Sequence, residues 1–122
     1  MPLVWTFFFI RNAQYTIPPK DKYVLVVCQD TECHAFFVNS KISRFIQNRP
    51  NMLACQVLLK ASEYDFLQHD SYLNCSQLYA FDEMCFTYGR GTVLVHTKKE
   101  IKNAVAIATT IDQKYQEMIA LM

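Results

Sequence analysis

Three histidines, five cysteines and a group of cations around one loop carry most of the reactive chemistry available in these 122 residues. His34, His69 and His96 are the side chains suited to proton transfer near neutrality. Local spacing fixes a partner for none of them: His34 opens a strand-like run, and His69-Asp70 stands beside Ser71. Cys28, Cys33 and His34 match no closed zinc pattern, and no second closely spaced cysteine pair accompanies them, so no metal is expected. A Cys–His nucleophilic pair needs only closeness in space, which sequence leaves open. Five cysteines at scattered spacings, most of them within apolar runs, read as small hydrophobes in a reducing compartment, not as a secreted disulfide framework.

Phosphate chemistry has a more local signal. Arg11, Lys20 and Lys22 flank a loop that also holds Tyr15, and cations interleaved with an aromatic ring suit single-stranded nucleic acid. A solvated loop gives the same pattern. Gly89-Arg-Gly91 lacks the strand-to-helix setting of a phosphate loop and reads as a turn. Net charge is +1, so the molecule as a whole is no polyanion binder. The first 60 residues, however, carry seven Lys or Arg against three Asp or Glu, and the remainder five against eight.

The elements that must position these residues follow from periodicity. A chain that is 52% hydrophobic and 19% charged is not disordered, and no repeat or linker divides it, so a single domain over 1–122 is expected. Residues 3–10 read as a strand, 11–21 as a loop broken by Pro18-Pro19, and 23–28 and 34–38 as a hairpin. Ile42, Phe45 and Ile46 share one face of a short helix capped by Asn39 or Ser40 and ended by Pro50. Residues 55–60 read as a strand, 62–67 as one helical turn, and 71–81 as one long strand. Thr97-Lys-Lys-Glu100 has the pattern of a capping box, followed by the apolar stripe Ile101, Ala104, Val105, Ala108 and Ile111. Tyr115, Met118, Ile119 and Met122 form a second stripe. The apolar start up to Ile10 falls short of the roughly 20 residues needed to span a bilayer and has no basic residue before it, so no membrane segment or signal peptide is expected.

Taken in order, these pieces resemble the PemK/MazF toxin family. Val4-Trp5 stands where that family has Gly-Asp-(Ile/Val)-(Val/Trp), and Lys22-Tyr-Val-Leu-Val-Val27 where it has Arg-Pro-Val-Val-Val. Phe37-Val-Asn-Ser40 resembles the strand ending in Thr or Ser, and Gln77-Leu-Tyr-Ala-Phe-Asp82 resembles Gln-(Ile/Val)-Arg-Thr-(Ile/Val)-Asp. Gly91-Thr-Val93 and the helix after it resemble the closing element. The resemblance implies a mainly β, SH3-like barrel of PemK/MazF/CcdB type, with a short helix after the third strand and one or two C-terminal helices. It also implies a cytoplasmic, metal-independent and cofactor-free endoribonuclease that cleaves single-stranded RNA, forms a homodimer and is held by an antitoxin. Cleavage by 2′-hydroxyl attack needs a base, an acid and positive charge at the phosphate. Carried over by position, Ser40 takes the place of the family's strand-end Thr or Ser, Arg11 is the nearest base to its first-loop arginine, and Gln77 holds the place of its glutamine. With His34 added as a proton-transfer candidate, the expected catalytic residues are Arg11, Ser40 and His34, and the expected substrate-binding residues are Lys20, Lys22, Gln77 and Tyr79. The sequence departs from the family at Pro2-Leu3, at the missing proline after Lys22, at Pro18-Pro19 and at Tyr79, where the family has arginine. Those departures keep a second expectation open: a catalytically inactive domain of the same fold that binds nucleic acid or a partner protein.

Overall fold

The uninterrupted apolar run Tyr23–Cys28 is what a strand buried on both faces requires, because successive side chains leave a strand on opposite sides. In the computed structural model, which describes residues 3–122, that run lies in strand β2 (Lys20–Gln29), and Val24 through Cys28 are fully buried. Pro2, at the first of the family departures, lies outside the described residues. Strand β3 (Cys33–Asn39) returns antiparallel as the expected hairpin, with Val24 opposite Phe37 and Val26 opposite Ala35. Strand β1 (Thr6–Ala13) pairs with the other edge of β2. Strands β4 (Gln56–Leu59), β5 (Ser71–Asn74), β6 (Tyr79–Phe81) and β7 (Gly89–Thr92) complete the sheet in the order β4-β5-β3-β2-β1-β7. Strand β6 pairs with the start of β3 and β5 with its end, so one edge of β3 serves two partners. The sheet curls into an antiparallel half-barrel, the mainly β, SH3-like architecture expected, followed by helices α3 (Val95–Ile107) and α4 (Gln113–Leu121) after the short α1 (Arg44–Gln47) and α2 (Pro50–Leu53).

Each face of the sheet has its own core. Phe7, Leu25, Val27, Phe36 and Val38 point to one side, where Ile101, Ala104, Val105, Ala108, Ile111 and Ile119 of the helical layer cover them. The α3 stripe is therefore the inner face of the helix, as its spacing indicates. Phe8, Ile10, Val24, Val26, Ala35 and Phe37 point to the other side, beneath Leu3, Phe81 and Phe86. No helix of the described residues is long and apolar enough to cross a membrane.

Several expected boundaries move, each for a local reason. The first strand runs over Thr6–Ala13 rather than 3–10, because Trp5 sits in the left-handed region (φ 66°), pinned by its N–H to the Val26 carbonyl and by its own carbonyl to Val93 N–H. Arg11 thus belongs to a strand and not to the loop. Residues 71–81 are two strands, since Asn74–Gln77 folds into a polar turn between β5 and β6. Gly89-Arg-Gly91 is strand β7 rather than a turn. Residues 62–67 form turns and no helix. The cap of α1 is Ser43, whose side chain accepts from Ile46 N–H at 3.3 Å, and Phe45 lies exposed. Pro50 opens α2 in its first turn, where a missing N–H costs nothing.

Thr97 does not form the expected capping box, since α3 already begins at Val95. Thr97 is buried, and its Oγ1 accepts from the Tyr64 hydroxyl at 2.8 Å, while that hydroxyl accepts from Leu94 N–H at 3.1 Å. Tyr64 therefore satisfies the start of the helix from across the core. Replacing it with phenylalanine strands two polar groups, an effect typically of about 1–3 kcal/mol. Tyr64→Phe should lower the urea midpoint accordingly with an unchanged slope; an unaltered midpoint would show that water replaces the hydroxyl.

Candidate functional site

The two apolar cores end where β2 begins and β3 finishes, and polar residues take over there. A groove of about 450 Å³ opens at this place, walled by Tyr15, Lys20, Lys22, Ser40, Lys41, Asn74, Gln77 and Tyr79 among others. Three lysines and no Asp, Glu, Arg or His line it among the described residues. A second cleft of about 360 Å³ lies beyond it, sharing Lys22 and Ser40 and adding Tyr23, Phe66 and His69. Lys22 and Ser40 thus stand on the ridge between the two.

Lys22 donates from Nζ to Asn39 Oδ1 and lies 5.6 Å from the centre of the Phe37 ring. Burial, aided by the charge of Lys20, holds its pKa below the ordinary lysine value. The rings of Tyr15, Tyr79 and Phe37 form a continuous stack with Tyr79 in the middle, 4.7 Å from each neighbour. Burial and then Tyr15 raise the Tyr79 pKa, so its phenol stays neutral. Tyr15, at the solvent end of the stack, donates to the Ala80 carbonyl and ties the first loop to β6. A groove with cations, aromatic faces and no acids is chemically suited to a phosphodiester chain.

Of the site residues expected from the sequence, Lys20, Lys22, Ser40, Gln77 and Tyr79 meet in this groove. Arg11 and His34 do not. Arg11 is exposed on β1 in a separate cleft beside Phe9, Cys85 and Tyr88. His34 is buried, with Nε2 2.8 Å from Asp30 Oδ1 and its ring 4.2 Å from that of Tyr115, and it helps hold α4 against the hairpin. Sequence reasoning missed Lys41 and Asn74. Lys41 directly follows Ser40 and could have been found from that; Asn74 carries no sequence signal, because its role comes from its neighbours in space. The cysteines supply no nucleophile at the groove. Burial pushes the Cys28 thiol up to about 12 and raises Cys33, Cys55 and Cys75 as well. No group of three or more metal-ligating side chains gathers among the described residues.

This curled sheet with its C-terminal helices is the fold of the MazF/PemK-type toxins. The chain superposes on the Mycobacterium tuberculosis toxin MazF-mt6 with a TM-score of 0.62 at 15% identity, over 85% of this chain and 96% of that one. It superposes on a mycobacterial endoribonuclease, solved in complex with its cognate antitoxin, with a TM-score of 0.65 at 17% identity, over 92% and 98% of the two chains. No protein-family model and no curated protein sequence matches it.

The Asp30 cluster has a pH dependence of its own. The Glu32 backbone N–H and His34, with the Tyr115 hydroxyl, hold the Asp30 carboxyl well below the usual range, and Lys114 Nζ lies 3.5 Å from Oδ2. A folded pKa below the unfolded one gives stability that is present above the ordinary value of about 4 and lost as pH falls below it. The melting temperature of the wild type should therefore fall more steeply than that of Asp30→Asn on acidification below about pH 4. Parallel curves would remove Asp30 as the source.

Proposed function

We propose that the chain is a toxin-type endoribonuclease that cleaves single-stranded RNA without a metal, acting as one domain over its 122 residues. The observation that carries this is the acid-free groove of three lysines and stacked tyrosines on a MazF/PemK-type fold. Lys20 and Lys41 hold the phosphodiester as ammonium ions. Ser40 donates to a non-bridging oxygen. Lys22, whose pKa is lowered by burial, takes the 2′-hydroxyl proton in its neutral form. The 2′-oxygen attacks phosphorus, the bond to the 5′-oxygen breaks, and that oxygen takes a proton from the Lys20 or Lys41 ammonium. The products are a 2′,3′-cyclic phosphate and a 5′-hydroxyl. The groove favours Lys22 and Ser40 over Arg11 and His34 as the reacting residues. An antitoxin as the protein partner is supported by the antitoxin complex of the mycobacterial endoribonuclease. The homodimer and cytoplasmic location implied by the family resemblance belong to the same reading.

The test is incubation of purified protein with single-stranded RNA in EDTA, following the cyclic-phosphate product. Cleavage is expected to rise with pH as Lys22 deprotonates, to drop at least about 100-fold in Lys22→Met, and to survive Arg11→Ala. Salt-dependent binding without cleavage would leave a nucleic-acid-binding domain. Absence of binding would leave a partner protein as the ligand.

A further inference from the structure

Asn74 and Gln77 line the same groove from the end of β5 and the turn that leads to β6. Their amides are oriented by main-chain groups whose hydrogen-bonding role admits one direction only. Ser76 N–H can only donate, and it meets Asn74 at 3.1 Å, so the atom it meets is the oxygen. Two further donors reach the same oxygen: the Ser76 hydroxyl and Gln56 Nε2 at 2.9 Å. Gln56 is fixed in turn, since its Nε2 also donates to the Met52 carbonyl, which can only accept, at 3.1 Å. Asn74 and Ser76 are buried, so this arrangement does not exchange freely with water.

The other end of Asn74 is therefore an NH2 group, which can only donate. It donates to Gln77 Oε1 at 3.2 Å, and the Tyr79 hydroxyl donates to the same oxygen at 3.3 Å. Both inbound bonds occupy the acceptor of Gln77. Its Nε2, with two N–H groups, takes no protein partner among the described residues, and Gln77 is exposed at the groove wall. A glutamine with both ends free reads adenine by donating to N7 and accepting from N6. Gln77 has lost the accepting half of that contact. What remains is one nitrogen with two donors, the pattern by which a lysine meets the paired acceptors N7 and O6 of guanine.

We propose that Gln77 is a donor-only reader that selects guanine over adenine in this groove, and that Asn74 is the positioning residue that makes it so. The proposal rests on the reading of the groove as an RNA site. It adds the base edge that the groove recognises.

The test measures binding of three RNA heptamers by fluorescence anisotropy at fixed salt, each 2′-O-methylated so that no 2′-hydroxyl is available for cleavage: a central guanine, adenine or inosine in an otherwise all-uridine strand. Guanine and inosine share N7 and O6, so both should bind about tenfold more tightly than adenine. Asn74→Asp keeps an oxygen for the three inbound donors and removes only the outbound N–H. It should weaken all three RNAs through its charge and bring the guanine-to-adenine ratio close to one. Gln77→Leu, at an exposed position, should lose the ratio too, and melting curves report whether each variant is folded. A wild-type ratio near one with all RNAs bound would overturn the proposal and leave the RNA site standing. An undiminished ratio in folded Asn74→Asp would overturn the positioning role. No binding of any heptamer would overturn the RNA site and the proposal with it.

Discussion

The structure depends on the burial of one strand from both sides. Val24 through Cys28 expose nothing to solvent, so the β2–β3 hairpin requires cover on each face of the sheet. Fully burying a single large aliphatic side chain is worth about 1.5–3 kcal/mol, and five successive buried residues make this segment a principal source of the driving force. The rest of the chain supplies the cover. Helices α3 and α4 close one face, and the segment from β6 to Phe86 closes the other. The groove lies where both covers end, at the margin of the hairpin where β2 begins and β3 finishes. Lys20, Lys22, Asn39 and Ser40 take over there from the apolar residues farther along the same strands. The site is thus the polar margin of the core and keeps the rigidity of the strands behind it.

That margin is electrostatically costly by itself. Three like charges line one groove without a carboxylate, and Lys22 is partly desolvated beside them, which lowers its pKa instead of stabilising its charge. Among the described residues the direct partners of the Lys22 ammonium are neutral, the Asn39 amide and the face of Phe37. An anion bound in the groove would relieve the remainder. The charge asymmetry between the two halves of the sequence is the trace of this arrangement, since Lys20, Lys22 and Lys41 all fall in the first 60 residues.

Much of the fold was legible because the hairpin strands are uninterrupted apolar runs of strand length and the α3 stripe keeps a helical period. The misread segments are those where a distant contact overrides a local pattern. Thr97 has the spacing of a capping residue, yet Tyr64 reaches it from 33 positions away and satisfies the helix start in its place. Gly89-Arg-Gly91 reads as a turn by composition, but pairing with β1 draws it into the sheet. The run 71–81 is apolar enough for one strand, and only the polar knot at Asn74–Ser76 divides it. The groove was half legible: Lys20, Lys22, Ser40, Gln77 and Tyr79 converge. Arg11 and His34 lie elsewhere because the β1 strand continues past Ile10 and because Asp30 and Tyr115 hold His34.

The polar knot also explains how an amide at the surface can be held in one orientation. An exposed glutamine ordinarily samples both amide orientations, since water satisfies either end. Here the direction is imposed from inside. Ser76 is fully buried and Thr110 donates to its carbonyl, so the turn is fastened both to the sheet and to the loop between α3 and α4. Reversing Asn74 would set its NH2 against two groups that can only donate, the Ser76 N–H and the Gln56 amide nitrogen, at a buried position, a cost of at least one buried unsatisfied group, about 1–3 kcal/mol. Reversing Gln77 alone would set its NH2 against the NH2 of Asn74. The helical layer on one face of the sheet, through Thr110, thereby fixes the chemistry offered at the groove. Fold and site are coupled by the direction of a few hydrogen bonds as much as by the packing of the cores.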